Sequence, residues 1–278
     1  MKKSTTVSLV TVTQLNRHKC LLILYDLIKM QTYKNIIEWI IVEGSNNIED
    51  ANKNKIYIEE IIKIHSTDFT NSTNSTSSMK IIYIEFIDYN NKNTECSKNK
   101  LSDLRNIGND TSKGDIIVCM DDDDYYPPER VSQAVIMLTH SKKLIAGCSS
   151  MYMYDYYLKQ FFKFDKFDDN HSTNNCMAYK KEYLLNHRHQ SGLTSGEEAS
   201  FTNNFTEPMI QLNSKNCIIC SSHDSNTFNK LNMCISALRN ENSNTSLKRI
   251  NKNIFAYMPI DIWNRMFLNF CVINNASI

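Results

Sequence analysis

Ile116-Ile117-Val118-Cys119-Met120-Asp121-Asp122-Asp123-Asp124-Tyr125-Tyr126-Pro127-Pro128 is the stretch whose reading decides the fold of this chain. Five apolar, mostly β-favouring residues ahead of four acids predict a buried strand that stops where it reaches water. Side chains on an extended backbone alternate faces, so Asp121 and Asp123 are expected on one side and Asp122 and Asp124 on the other. Two carboxylates about 7 Å apart repel by roughly 2 kcal/mol at an effective dielectric near 20. A divalent cation shared with a phosphate offsets that repulsion, since Mg²⁺ typically uses one or two carboxylates plus substrate phosphates. An acidic start to the helix that Pro127-Pro128 opens would need one acid, not four.

Working back from this stretch, residues 7–12 form an apolar run that predicts a first strand. A helix is expected over 18–30, with Leu21, Leu24, Leu27 and Ile28 at helical spacing. A second strand over 36–42 is closed by Glu43-Gly44-Ser45, and helical spacing returns over 48–64. The Ser/Thr/Asn-rich residues 67–78 are expected to be a surface loop, 80–87 a third strand, and Leu101, Leu104 and Ile107 a helix ending near Gly108. Alternating short apolar strands and helices predict an α/β fold, a mainly parallel sheet covered on both faces. Ligands of such sheets bind beyond the carboxyl ends of the strands. Residues 13–17, 43–46 and 121–124 all fall at such ends and are expected to meet in one crevice. With only 6 glycines and neither GxGxxG nor GxxxxGK[ST], dinucleotide and P-loop chemistry are excluded.

Working forward, a helix over 128–140 and a strand over 144–148 precede an aromatic run at 151–167 that holds Tyr152, Tyr154, Tyr156, Phe162 and Phe164. Period-two aromatics fit a half-buried antiparallel strand, or a platform on which sugars stack. Residues 174–185 look like strand into helix, Gly196-Glu197-Glu198 opens a segment leading to Phe201, and Cys217 to Cys220 runs into His223. Residues 253–278 are rich in large apolar side chains and are expected to pack back on the domain, with a membrane surface as the alternative.

The 278 residues are enough for a sizeable core, and a net charge of +1 gives no general field for nucleic acid. Nine cysteines, an odd number with several in apolar runs, fit buried thiols in a reducing compartment, hence a cytoplasmic location. Cys217-Ile218-Ile219-Cys220 has no second ligand pair at zinc-finger distance and is expected to be part of a strand. The N-terminal apolar run is too short and too rich in Ser and Thr for a signal peptide, and no stretch of 18 uncharged apolar residues predicts a membrane span.

These residues together resemble glycosyltransferase family 2, the inverting nucleotide-sugar enzymes of the GT-A fold. Val7 to Arg17 is similar to that family's opening strand and Asn-Arg turn, and Gln31-Thr32-Tyr33-Lys34-Asn35 to its Gln-Thr-Tyr-x-Asn turn. Ile41-Val42-Glu43-Gly44-Ser45 resembles its Val-Asp-Asp-Gly-Ser. Leu104-Arg105-Asn106-Ile107-Gly108 resembles its Ala-Arg-Asn-x-Gly helix, and Met120 to Asp124 its Asp-x-Asp motif. Val12 replaces the usual Pro, Leu15 an aromatic, and Glu43 a pair of Asp.

The resemblance implies a GT-A domain over 1–235, with a nucleotide-binding half to 125 and an acceptor half after it, and a helical extension over 236–278. It implies that Thr13, Glu43, Arg105, Asp121 and Asp122 hold the donor, and that Asp123 with Asp121 and His223 holds Mn²⁺ or Mg²⁺. It also implies that Glu198 is the general base. The expected donor is a UDP-sugar, and the expected acceptor a glycan, protein or lipid hydroxyl. Self-association and membrane-surface contact stay open. The AT-rich bias towards Asn, Ile and Lys points to a giant-virus or protist source. Two rival readings are a sugar-phosphate nucleotidyltransferase, which would carry a glycine-rich basic loop after the first strand, and a non-catalytic carbohydrate binder on the same fold.

Overall fold

Strand β1 (Val7–Thr13) lies near the middle of the main sheet, and every residue in it except Val12 is buried. A computed structural model describes residues 4–14, 17–45, 48–70, 79–85, 100–224, 226, 228–239 and 246–271. β1 is flanked by two parallel neighbours, β2 (Ile36–Glu43) and β4 (Ile116–Cys119), and β2 is followed outward by β3 (Lys80–Glu85). Their Val- and Ile-rich runs are those of strands buried on both faces. Beyond β4 lie β8 (Ala178–Lys180), β5 (Ile145–Gly147) and β9 (Met209–Gln211), with β8 antiparallel to both its neighbours. A second sheet, in the order β10 (Ile219–Ser222), β6 (Tyr152–Asp155), β7 (Gln160–Phe164), β11 (Leu247–Arg249), stands beside it.

Alternation along β1 sorts the core into two layers. Val7 and Leu9 pack with α1 (His18–Lys29), α2 (Ile48–Thr70) and α4 (Arg130–Thr139), on the side where α7 (Ile260–Cys271) also lies. Val10 packs with Leu104 of α3 (Leu101–Thr111) and Phe201 of α5 (Glu197–Phe201) on the other. The α/β expectation, helices on both faces of a mainly parallel sheet, therefore holds.

Several local expectations do not. Helix α2 continues to Thr70, through residues expected to be loop; the rest of that loop, 71–78, and the end of the third strand, 86–87, lie outside the described residues. Gly108 does not end α3, which runs on to Thr111. It is needed because a Cβ there would stand 2.4 Å from Val10 Cγ1, so the glycine lets helix and sheet touch. The helix after Pro127-Pro128 begins at Arg130. The C-terminal stretch is not helical alone, since β11 completes the second sheet through antiparallel pairing with β7. Its α7 does pack back, with Arg265 on Asp26 of α1 at 2.7 Å. The eight described cysteines are free thiols, and among the described residues no helix is long and apolar enough to cross a membrane.

Candidate active site

β4 stops at Cys119, so the four acids occupy a turn and do not alternate like strand residues. The turn is tied down by backbone and core contacts. Met120 N–H donates to the Val10 carbonyl at 3.0 Å and Thr11 Oγ1 to the Met120 carbonyl at 2.8 Å. The buried Tyr126 hydroxyl accepts from Asp121 N at 2.7 Å. From this base each acid takes a different partner.

Asp121 is held by Arg105 in a two-point pair, Nη1–Oδ1 3.0 Å and Nη2–Oδ2 3.3 Å. The same guanidinium donates Nε to Glu197 at 2.8 Å. Asp122 accepts from Thr13 Oγ1 at 2.7 Å and from Arg17 Nη1 at 3.2 Å, and burial pushes its carboxyl up. Asp123 Oδ2 faces Arg17 Nη1 at 3.1 Å, His223 Nε2 at 3.2 Å and Asn226 Nδ2 at 3.1 Å. Burial works against ionising Asp123, but Arg17 and then His223 outweigh it and hold its carboxyl below the usual range. Asp124 turns to Ser221 N at 2.7 Å and Asn175 Nδ2 at 2.6 Å, and burial raises it.

A cleft of about 320 Å³ opens over this turn, with Asp121, Asp123, Asp124, Arg105, Glu197 and Glu198 among its lining residues. Asp122 faces away, into the bond with Thr13. The left-handed Gly196, φ +68°, carries the chain into α5 and sends Glu197 inward onto Arg105. Glu198 is left partly buried in the cleft wall, where it accepts from Asn174 N at 3.1 Å. Burial and then the charge of Glu197 push the Glu198 carboxyl up. Behind them lies His189, 2% exposed, with Nδ1 on the Glu197 carbonyl at 3.2 Å and Nε2 on Asn174 Nδ2 at 3.3 Å. A carbonyl only accepts and an amide nitrogen only donates, so this ring is a neutral Nδ1–H tautomer. Burial, and then Arg105, push it down to about 3.

Of the residues expected at the site, Thr13, Arg105, Asp121, Asp122, Asp123 and His223 form one connected network around the acidic turn, and Glu198 shares the cleft. Glu43 does not join them. Its carboxylate is fully buried and accepts from Ser45 N at 2.7 Å and Tyr83 OH at 3.3 Å, and also from Asn54. It shapes the loop after β2, which meets Thr13 through Gly44 N on the Thr13 carbonyl at 2.7 Å. Asp121, expected on the metal beside Asp123, is instead taken by Arg105. The aromatic run divides as strand pairing requires: Tyr152, Tyr154 and Tyr156 are buried and offer no stacking platform, and Phe164 alone of the five lines the cleft.

Two cations complete the site, Arg17 from the 13–17 cluster expected in the crevice and Lys230, which the sequence does not single out. Arg17 sits on Asp122 and Asp123, and Lys230 lines the cleft with Nζ on the Ser221 carbonyl at 2.8 Å and Cys220 Sγ at 3.2 Å. Burial works to lower Lys230, but Cys220, Asp124 and Asp123 outweigh it and hold the ammonium charged.

Asp123 and His223 are two potential ligands of a divalent cation, beside Arg17, whose Nη1 is 3.1 Å from the same Asp123 Oδ2. Asp123 Oδ2 and His223 Nε2 lie 3.2 Å apart, and the Asn226 amide nitrogen stands 3.1 and 3.0 Å from them; a cation bound there would take the place of the ring proton between oxygen and nitrogen. One carboxylate and one imidazole leave most of the coordination sphere to phosphate oxygens and water. Among the described residues no group of three or more His, Cys, Asp or Glu side chains could hold a metal ion.

The family model for glycosyl transferase family 2 matches residues 72–193, a span that holds α3 with Arg105 and the acidic turn and ends before Glu197. In structure the chain is similar to the mannosyltransferase PcManGT of Pyrobaculum calidifontis, solved in complex with GDP-Man and Mn²⁺, at TM-score 0.52 and 12% identity. That likeness covers 80% of this chain and 57% of the other. TarS 1-349 of S. aureus, solved with UDP-GlcNAc, matches at TM-score 0.49 and 12% identity over 80% of this chain and 60% of its own, too low a score to add to the argument. The chain thus spans less than two thirds of the solved proteins it resembles, and at 12% identity the likeness is one of fold. No curated protein matches the sequence.

Proposed function

We propose that this chain is a metal-dependent inverting glycosyltransferase that moves a sugar from a nucleoside-diphosphate donor, a UDP-sugar first, to an acceptor hydroxyl. The observation that carries the reading is a division of labour between two adjacent glutamates. Glu197 takes the Arg105 cation, while Glu198, in the same cleft as Asp123, has no ion-pair partner among the described residues. A carboxylate pushed up by burial and left unpaired is a better proton acceptor than an ordinary one. An acceptor hydroxyl has a pKa far above neutrality, so its proton must pass to such a group as the new bond to the sugar forms.

Asn174 N–H orients the Glu198 carboxylate, and His189 fixes Asn174 from behind. At the far end Asp123 and His223 would hold Mn²⁺ or Mg²⁺, which when bound supplies positive charge to the departing diphosphate. Lys230 and Arg17 add permanent positive charge on the same side. Attack from the Glu198 side on a sugar whose diphosphate leaves towards Asp123 inverts the anomeric carbon, with no covalent enzyme intermediate.

Thermal unfolding with UDP, GDP and their sugars, each with and without Mn²⁺, tests the reading. A nucleotide at 100 times its Kd stabilises by about 2.7 kcal/mol, a shift of several degrees that should require the metal. No shift with any nucleotide in the presence of Mn²⁺ would remove the donor site. Nucleoside-diphosphate release that persists in a folded Glu198→Gln variant would remove the base.

A further inference from the structure

Strand alternation sends the side chains of β6 and β7 to two destinations. Tyr152, Tyr154 and Phe161 face the layer of α7, where Tyr152 and Phe161 meet Tyr257 with ring centroids 5.0 and 5.1 Å apart. Met153 and Phe162, paired across the hairpin, face the other way and pack with Cys220 of β10 and Cys234 of α6 (Leu231–Leu238). Helix α6 covers that face incompletely. Met151, Met153, Phe164 and Met233 continue from it into the cleft wall, and Phe228, 63% exposed, extends the patch outward.

The cleft that holds Glu198 is therefore two-sided. Around Glu198 the wall carries Thr173, Asn174, Thr194 and Ser195; apart from the charged part with Asp121, Asp123 and Lys230, it also carries the thioethers of Met151 and Met233 and the rings of Phe164 and Phe228. A flat sugar face could stack on Phe164 or Phe228 alone, but a hydroxyl turned onto the thioethers would lose its water partners, because a thioether sulfur is only a weak acceptor. Methionines adapt to irregular apolar shapes and fit a flexible aliphatic chain well.

We infer that the acceptor subsite takes a hydroxyl carried on an alkyl-bearing molecule, with the alkyl chain on the wall of Met151, Phe164, Met233 and Phe228. The identity of the occupant as acceptor rests on the glycosyl-transfer reading; the apolar preference of the wall does not. The test is calorimetric titration of methyl, butyl and hexyl β-D-glucoside into the full chain, alone and with UDP and Mn²⁺. Each added methylene that becomes buried should tighten binding by up to about fourfold. Met233→Gln and Phe228→Ser should each flatten the series while leaving UDP affinity unchanged. Equal affinity from methyl to hexyl, or a slope that survives both substitutions, overturns the inference. A flat series with UDP bound sinks this inference and leaves the donor reading standing; a steep series without UDP binding does the reverse.

Discussion

Arg105 gives the clearest energetic test of the site. It is 5% exposed and donates three hydrogen bonds, one to Glu197 and two to Asp121. Its replacement by Gln removes the cation and leaves two carboxylates in unequal positions. The Asp121 side chain is 23% exposed and can regain water, whereas that of Glu197 is 3% exposed and cannot. Removing one partner of a buried pair typically costs about 3–5 kcal/mol, chiefly from the charge left behind. For a chain of this size that lowers the unfolding midpoint by on the order of 10 °C. Arg105→Gln should therefore lose about 3–5 kcal/mol in urea unfolding followed by tryptophan fluorescence, and Arg105→Gln with Glu197→Gln should recover more than half of it. Arg105→Lys should not rescue, because a single ammonium cannot reproduce the guanidinium fork. A loss under about 1 kcal/mol, or no relief from the second substitution, would refute the claim that Glu197 is a dry carboxylate dependent on Arg105.

Three further outcomes follow from other parts of the fold. Glu198→Gln should lower turnover by about 10²–10⁴-fold, and the wild-type rate should rise with pH through a carboxylate value above the ordinary range, because only the ionised form accepts a proton. Gly108→Ala should destabilise by about 1–3 kcal/mol in denaturant unfolding despite the better helix propensity of alanine, since its Cβ meets Val10 Cγ1 at 2.4 Å; adding Val10→Ala should restore part of the loss. His189 is held down at about 3, below its unfolded value, so the folded state is favoured above the unfolded pKa and loses stability as pH falls below about 6.5. By pH 4.5 the loss attributable to this ring is about 2–3 kcal/mol, and His189→Gln should remove that share of the acid sensitivity measured by thermal unfolding.

The strands of the first half were legible because their apolar runs are long enough to leave one reading, as with Ile36–Glu43 and Ile116–Cys119. The acidic turn was equally visible as composition, but its geometry was not. The strand period does not continue past Met120, because Tyr126 and Thr11 hold the backbone in a turn and send each acid to its own partner. Glu43 illustrates a different limit. Its place at a strand end suggested the crevice, yet Asn54, eleven residues on, claims the carboxylate. Arg17 lay inside the polar cluster after β1, and only its contacts across about a hundred residues reveal what it does. Lys230 and His189 have no local signal, because a lone polar residue outside a periodic segment looks the same whether it faces solvent or a cleft. The aromatic alternation of β6 and β7 was legible as a pair of faces, but which face met the cleft depended on where α6 and α7 landed.

Charge balance ties the two ends of the site together. Asp121, Asp122, Asp123, Asp124, Glu197 and Glu198 gather in and beneath one cleft with three permanent cations among them, Arg17, Arg105 and Lys230. Arg105 is spent on Asp121 and Glu197, and Arg17 is shared by Asp122 and Asp123. Burial relieves part of the imbalance by pushing Asp122 and Asp124 towards their neutral forms, which leaves Asp123 as the ionised acid of the cleft outside the Arg105 pair with Asp121. A nucleoside diphosphate approaching alone would meet that carboxylate with, among the described cleft residues, Lys230 as the cation not bound to Asp121, Asp122 or Asp123. The same anion arriving with a divalent cation adds to the cleft the charge it lacks, at the atoms where the Asn226 amide now serves both Asp123 and His223. Donor and cation should therefore raise each other's affinity by the same factor, as linkage requires, and neither should bind tightly without the other.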